Sequence, residues 1–224
     1  MPTYSPRETF DRQLQALLDE VLVLGNMAEQ AVLGSVEALK RRDLDASRQI
    51  YANDRKINVK RYEIENNALT LIATQQPMAR DLRFLAAILE IITELERIGD
   101  YAKGICRINI MLGIEPLVKP LVDIPRMAEL GLDMLRRSLA AFVKRDAEAA
   151  RSIPAEDDEI DMLYNRVYRD LIDIMIADPS VVDRANYLMW AAHNLERLAD
   201  RVTNICERIV FVATGEIMEL DTSD

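Results

Sequence analysis

The sequence predicts an all-α protein made of two tandem three-helix bundles related by internal duplication. Three observations carry this. The 224 residues include only 7 Gly and 8 Pro, so turns are few. Aromatic residues are 5% of the chain, while Leu, Ala, Ile, Glu and Arg recur, a balance that favours helix over strand. Short motifs from the first half return in the same order in the second.

The elements follow from periodicity and punctuation. A helical pattern over 8–40 ends at Arg41-Arg42, and Asp43 is placed to cap a second pattern over 43–74. Gln75-Gln76-Pro77 interrupts the chain, and proline suits a helix start because it lacks an N–H. The third pattern, 78–112, carries Leu82, Leu85, Leu89, Ile92, Leu95, Ala102 and Ile105 at helical spacing. Gly113-Ile114-Glu115-Pro116, followed by Pro120 and Pro125, forms the proline cluster that joins the halves. A fourth helix is expected over 122–144, a fifth over 146–177 after Lys144-Arg145-Asp146, and a sixth over 181–214 after Asp178-Pro179-Ser180.

The internal matches are Met27-Ala28-Glu29 with Met127-Ala128-Glu129, Lys40-Arg41-Arg42-Asp43 with Lys144-Arg145-Asp146, and Pro77/Asp81 with Pro179/Asp183. Glu96-Arg97-Ile98-Gly99-Asp100 returns as Glu196-Arg197-Leu198-Ala199-Asp200, and both copies run on to Ile-Cys. The expected units are residues 1–115 and 116–224, with neighbouring helices antiparallel across their short connections.

The charge bounds the partners. Lys and Arg number 28 against 38 Asp and Glu, a formal net charge of −10. A negative field repels phosphate backbones, so nucleic acid is an unlikely ligand class. The excess is concentrated in one half: residues 1–112 hold 16 acids and 15 bases, residues 113–224 hold 22 and 13. Cys106 and Cys206 lie in apolar helical runs, form no Cys-x-x-Cys pair, and read as buried thiols. The segment Met1–Arg7 is followed by no apolar leader, and no stretch approaches the roughly 20 apolar residues of a membrane span. The expectation is a soluble, cytoplasmic protein that meets a membrane only through partners.

The candidate chemistry lies in carboxylates. Glu96 and Asp100 share a helix face, as do Glu196 and Asp200, and like charges four residues apart repel unless neutralised. Antiparallel folding about residues 76–77 sets Asp54 level with residue 99. Folding about 179 sets Asp157 and Asp161 near 201 and 197, and similar folds bring Asp133 level with Asp157 and Glu29 near 55. Such layers need cations, and all-oxygen donors suit Mg²⁺, Mn²⁺, Ca²⁺ or ferric iron better than a soft-ligand zinc site. A solvated acidic face is the competing explanation. His193, the one histidine, precedes Glu196 by three residues and is either a peripheral ligand or a packing residue.

Catalysis finds little support. There is no Glu-x-x-His of the di-iron oxidases, no Gly-x-Ser-x-Gly and no P-loop, and no Cys–His pair can be assembled. The pattern points to binding, not turnover. The alternative is a metal-carboxylate enzyme, a phosphohydrolase or oxidase, on a helical scaffold.

Leu95-Glu96-Arg97-Ile98-Gly99-Asp100, the segment from Gln75-Gln76-Pro77 to Asp81-Leu82-Arg83, and Asn194-Leu195-Glu196-Arg197 through Asp200 with Asn204-Ile205-Cys206-Glu207 resemble the PhoU family. The resemblance covers nearly the whole chain. It implies two three-helix bundles, commonly a homodimer, and metal ions (Mg, Mn, Fe or Zn) held by Glu96, Asp100, Glu196 and Asp200, with Asp54, Asp157 and Asp161 alongside. It also implies a negative role, coupling the Pst phosphate transporter's ATPase to a PhoR-type sensor kinase and repressing the phosphate-starvation regulon. Two departures weaken the first site: Asn58 stands where the second repeat has Asp161, and Gly104 where it has Asn204.

Overall fold

A computed structural model describes residues 6–220. Among them the chain forms helices α1 (Pro6–Arg41), α2 (Leu44–Gln75), α3 (Ala79–Leu112), α4 (Asp123–Lys144), α5 (Ala147–Ser152), α6 (Asp157–Ala177) and α7 (Val182–Thr214), with no strand. The reading of Met1–Arg7 falls largely outside the described residues. No described helix is long and apolar enough to cross a membrane.

Asp43 caps α2 as the sequence predicts, and Asp146, expected as the first residue of the fifth helix, is instead its cap. Asp43 accepts from the Ala46 N–H at 2.9 Å, and Asp146 from the N–H groups of Glu148 and Ala149 at 3.1 and 3.0 Å. Before each, Arg42 and Arg145 take left-handed conformations with φ of 59° and 56°. The expected fifth helix differs: Pro154 opens a single 3-10 turn, Pro154–Glu156, that separates α5 from α6. Proline removes one backbone donor and crowds the preceding turn, so the helix cannot run through. Pro179 likewise opens a 3-10 turn leading into α7, whereas Pro77 lies in the connection two residues before α3.

Helices α1, α2 and α3 pack on one another, as do α4, α6 and α7, with α5 set against α4 and α7. Leu24, Val32, Leu39, Ile64, Leu85, Ile88 and Leu95 have no exposed surface in the first bundle; Met127, Leu135, Phe142, Ile160, Leu171 and Val202 have none in the second. The two sets meet chiefly through α3 against α7, and also through α1 against α4. Phe84 and Phe142 stack across that junction with ring centroids 4.9 Å apart, and the Arg145 guanidinium covers Phe84 at 4.5 Å.

The contacts along α3 and α7 show them antiparallel. Glu90 pairs with Arg208 at 3.1 Å, Glu94 accepts from Asn204 at 3.3 Å, and Arg197 lies 5.0 Å from the Tyr101 ring. Gly104 lies against the Asn194 amide, where a Cβ would come within 3.1 Å.

Burial gives the register of the duplication. From α1 and α2 to α4 and α6 the pattern repeats at a spacing of 103 residues, matching Ser35 to Ser138 and Ile57 to Ile160; from α3 to α7 it repeats at 100. The two buried serines each bond the carbonyl three residues back at 2.8 Å. In this register Ala28 corresponds to Gly131, so the Met27-Ala28-Glu29 match is not a structural equivalence.

One polar network lies inside the first bundle. Asn109, fully buried in α3, points its Nδ2 at the Ala38 and Asp43 carbonyls and the Ser47 hydroxyl, 3.0, 3.2 and 2.8 Å away, while its Oδ1 accepts from Arg42. It ties the α1–α2 turn to α3; the second repeat has Ile209 in its place. Replacing Asn109 with Leu takes the amide partner from Arg42 and the buried Ser47 hydroxyl and leaves the Ala38 and Asp43 carbonyls with their backbone donors alone. Urea unfolding is expected to show a loss of about 1–3 kcal/mol with an unchanged slope.

Candidate functional site

In the first repeat α3 carries Glu96, Asp100 and Lys103 on the face it turns to α2. There Asp54, only 6% exposed, accepts from Asn58 Nδ2 at 3.2 Å and from Lys103 Nζ at 2.6 Å. The same ammonium lies 3.6 Å from Asp100. Burial raises the Glu96 pKa, as do the charges of Asp100 and Asp54, against the opposing pull of Arg61 and Arg97. The hydrogen bond to Asp54 holds Lys103 above its ordinary value. This lysine escaped the sequence reading, although it stands three residues after Asp100 and seven after Glu96 and so shares their helix face.

The second repeat brings together Asp157 and Asp161 of α6 with Glu196 and Asp200 of α7. Burial pushes the Asp157 carboxyl up to about 7, helped by the charges of Asp161, Asp200 and Glu196. Glu196 is also raised, first by burial and then by Asp200 and Asp161. His193 is a neighbour of the cluster: its Nδ1 lies 2.9 Å from Glu196 Oε2 and its ring tilts against Tyr164. Arg201 lies 3.9 Å from Asp200 but also reaches Glu94 on α3, at 3.4 Å.

A cavity of about 420 Å³ opens beside these acids, lined by Asp157, Asp200, Arg201, Thr203, Asn204 and Glu207 and closed by Glu219 and Leu220. The segment after α7 folds back to form that wall, with the Leu220 N–H donating to Glu207 at 3.0 Å. Glu219 was not singled out in the sequence, because only this fold-back brings the tail to the cluster, and Glu207 entered only as part of the Asn204–Glu207 motif.

Glu29 and Asp133, expected near these layers, are neutralised elsewhere. Glu29 accepts from Arg136 at 2.9 Å across the α1–α4 contact, and Asp133 pairs with Arg137 at 2.8 Å. Cys106 and Cys206 are buried, and burial pushes both thiols up to about 12, where they are poor nucleophiles and ligands.

The two clusters differ in their fitness for a cation. In the second repeat Asp157 Oδ1 and Thr203 Oγ1 are buried without hydrogen-bond partners among four carboxylates, a donor set suited to a hard metal ion. In the first, the Lys103 ammonium already sits on Asp54, which does not fit a metal. No three His, Cys, Asp or Glu side chains among the described residues are gathered closely enough to hold an ion as they stand. Any ion in the second repeat would have to draw its ligands together.

The family model of the PhoU domain matches the chain twice, over residues 21–108 and 124–209. A "phosphate-specific transport system accessory protein PhoU homolog" from Clostridium acetobutylicum is 35% identical over 216 residues, 96% of this chain and 99% of the relative. One of the same description from Caulobacter vibrioides is 37% identical over 210 residues, 93% and 91% of the two chains. The crystal structure of the phosphate transport system regulatory protein PhoU from Streptococcus pneumoniae superposes with a TM-score of 0.86 at 31% identity, covering 93% of this chain and 99% of that one.

The Asp157 carboxyl generates a pH prediction. Its folded-state value, about 7, lies above the unfolded one, so the folded protein holds a proton that the unfolded chain has released. Its contribution is fully present below about pH 4 and is lost as pH rises towards 7. In metal-free buffer, Asp157→Asn is expected to remove that decline and to leave the protein about 1–2 kcal/mol more stable than the wild type at pH 8, allowing for solvent screening. Equal pH profiles for the two proteins, followed by thermal melts, would contradict the assignment.

Proposed function

The chain belongs to the PhoU family, and from that premise we propose that it is a non-catalytic adaptor that signals phosphate sufficiency. In this role it docks on the ATPase of a Pst-type phosphate transporter and on a PhoR-type sensor kinase in the cytoplasm, as a homodimer, and represses the phosphate-starvation regulon. The observation that carries the reading is the end-to-end match to proteins named as accessory to phosphate-specific transport, through both repeats. The side chains support it. The conspicuous polar groups are acids on helix faces, and the two cysteines are buried in the bundles.

Coupling two partners requires that occupancy of one surface change the free energy of binding at another. Two bundles joined through α3 and α7 do this when docking on one outer face alters how the other face is presented. Asp157, Asp161, Glu196 and Asp200 would hold a divalent or trivalent ion. The ion's contribution is neutralisation of charge between α6 and α7, which fixes the outer face of the second bundle. His193 orients Glu196, and Arg201 ties the site to α3 through Glu94.

Deleting the gene is expected to raise transcription of phosphate-starvation genes in phosphate-rich medium, with repression restored by the intact gene. Unchanged transcription in that medium, or steady phosphate-ester hydrolysis by the purified protein, would overturn the adaptor reading in favour of an enzyme.

A further inference from the structure

We propose that Lys103 is a built-in cation of the first repeat, so that this chain takes up an external metal ion only in the second. The inference rests on the reading of the second cluster as a cation site and deepens it. Asp54 and Asp157 occupy equivalent positions of α2 and α6, and Lys103 and Thr203 equivalent positions of α3 and α7, in the register that burial establishes. At the first pair the ammonium lies 2.6 Å from the buried carboxylate and 3.6 Å from Asp100. At the second pair the lysine is missing: Asp157 Oδ1 and Thr203 Oγ1 are both buried with no hydrogen-bond partner.

The remaining substitutions act in the same direction. Asn58 donates an N–H to Asp54 at 3.2 Å, whereas its counterpart is the acid Asp161, which adds to the negative potential on Asp157. The first cluster thus holds three carboxylates facing a lysine and an amide donor. The second holds four carboxylates, with Arg201 shared with Glu94 and His193 confined to Glu196. A metal ion entering the first cluster has to displace a charge-assisted hydrogen bond and face a positive charge a few ångströms away. In the second, Arg201 lies 3.9 Å from Asp200 but is shared with Glu94, and the buried Asp157 and Thr203 oxygens are places that an ion can fill.

The test is Mn²⁺ binding to the full chain after chelator treatment, read by calorimetric stoichiometry and by melting temperature. The wild type is expected to bind at one site and to melt higher with Mn²⁺, by linkage. Lys103→Thr, which copies the second repeat, and Lys103→Met, which keeps the side-chain bulk, are each expected to melt roughly 3–6 °C lower without metal. Each should also gain a second Mn²⁺ site that restores the loss. Thr203→Lys should abolish binding at the second repeat; the Lys103 variants carry the test whether or not that protein folds. Two sites in the wild type, or no gain of a site in either Lys103 variant when the wild type binds one, would overturn the proposal. A wild type that binds no Mn²⁺ overturns the metal reading and, with it, the claim of uptake in the second repeat. The neutralising role of Lys103 is then decided by metal-free melts. Lys103→Met should cost much less in an Asp54→Asn background than alone, and an equal cost would overturn that role too.

Discussion

The antiparallel packing of α3 on α7 is the constraint on which the rest depends. Both helices are buried along most of their length, and polar contacts between them recur at related positions, from Glu90–Arg208 through Glu94–Asn204 to Tyr101–Arg197. Pairs such as these contribute little to stability when exposed. Here Glu94 and Arg201 are largely covered, with 12% and 20% of their side chains exposed, so a slip in register would strand a charge. The close approach of Gly104 to Asn194 adds a steric check on that register. With the two helices held together, Glu96 and Asp100 are directed to α2, and Glu196 and Asp200 to α6. Each acidic motif is therefore completed within its own bundle, with Arg201 reaching from Asp200 to Glu94 between them.

Much of this was legible in the sequence, for reasons tied to particular residues. Asp43 announces a cap because the first N–H groups of a helix lack partners that a carboxylate just before them can supply, and Asp146 repeats that role where the sequence showed only a break. The two Glu-x-x-x-Asp motifs mark one face of each last helix through spacing alone, and the short α2–α3 and α6–α7 connections bring Asp54 and Asp157 to the right height. Other features needed three dimensions. The break at Pro154 is an exception: the proline itself signals it, and only the apolar spacing that continues on both sides masks it. Lys103 reads as an ordinary surface base until the height of Asp54 relative to α3 is known, since its long side chain can reach either solvent or a neighbouring helix. Glu29 and Asp133 look like members of the acid layers but pair with Arg136 and Arg137 in and beside the α1–α4 contact. Glu219 reaches the second cluster only because the chain reverses after Gly215, whose φ of 83° suits glycine.

The two repeats have kept one fold and parted in their electrostatics. Burial in the first is polar where the second is apolar, as with Asn109 and Ile209, and its acid cluster contains its own ammonium. The second repeat carries most of the chain's negative charge and leaves a buried carboxylate oxygen without a partner. If the chain docks two different proteins, as proposed, it needs two different faces, and a difference in counter-ion is a compact way to obtain them. On the proposed reading, one face has a charge balance set by covalent structure, whereas the other takes its counter-ion from solution.

Anomalous scattering from crystals of the protein soaked in Mn²⁺ tests the electrostatic division most directly. A peak is expected among Asp157, Asp161, Glu196 and Asp200, with none among Asp54, Glu96 and Asp100, where the Lys103 ammonium should be seen on Asp54. Peaks of comparable height in both clusters, or one in the first repeat alone, would contradict it.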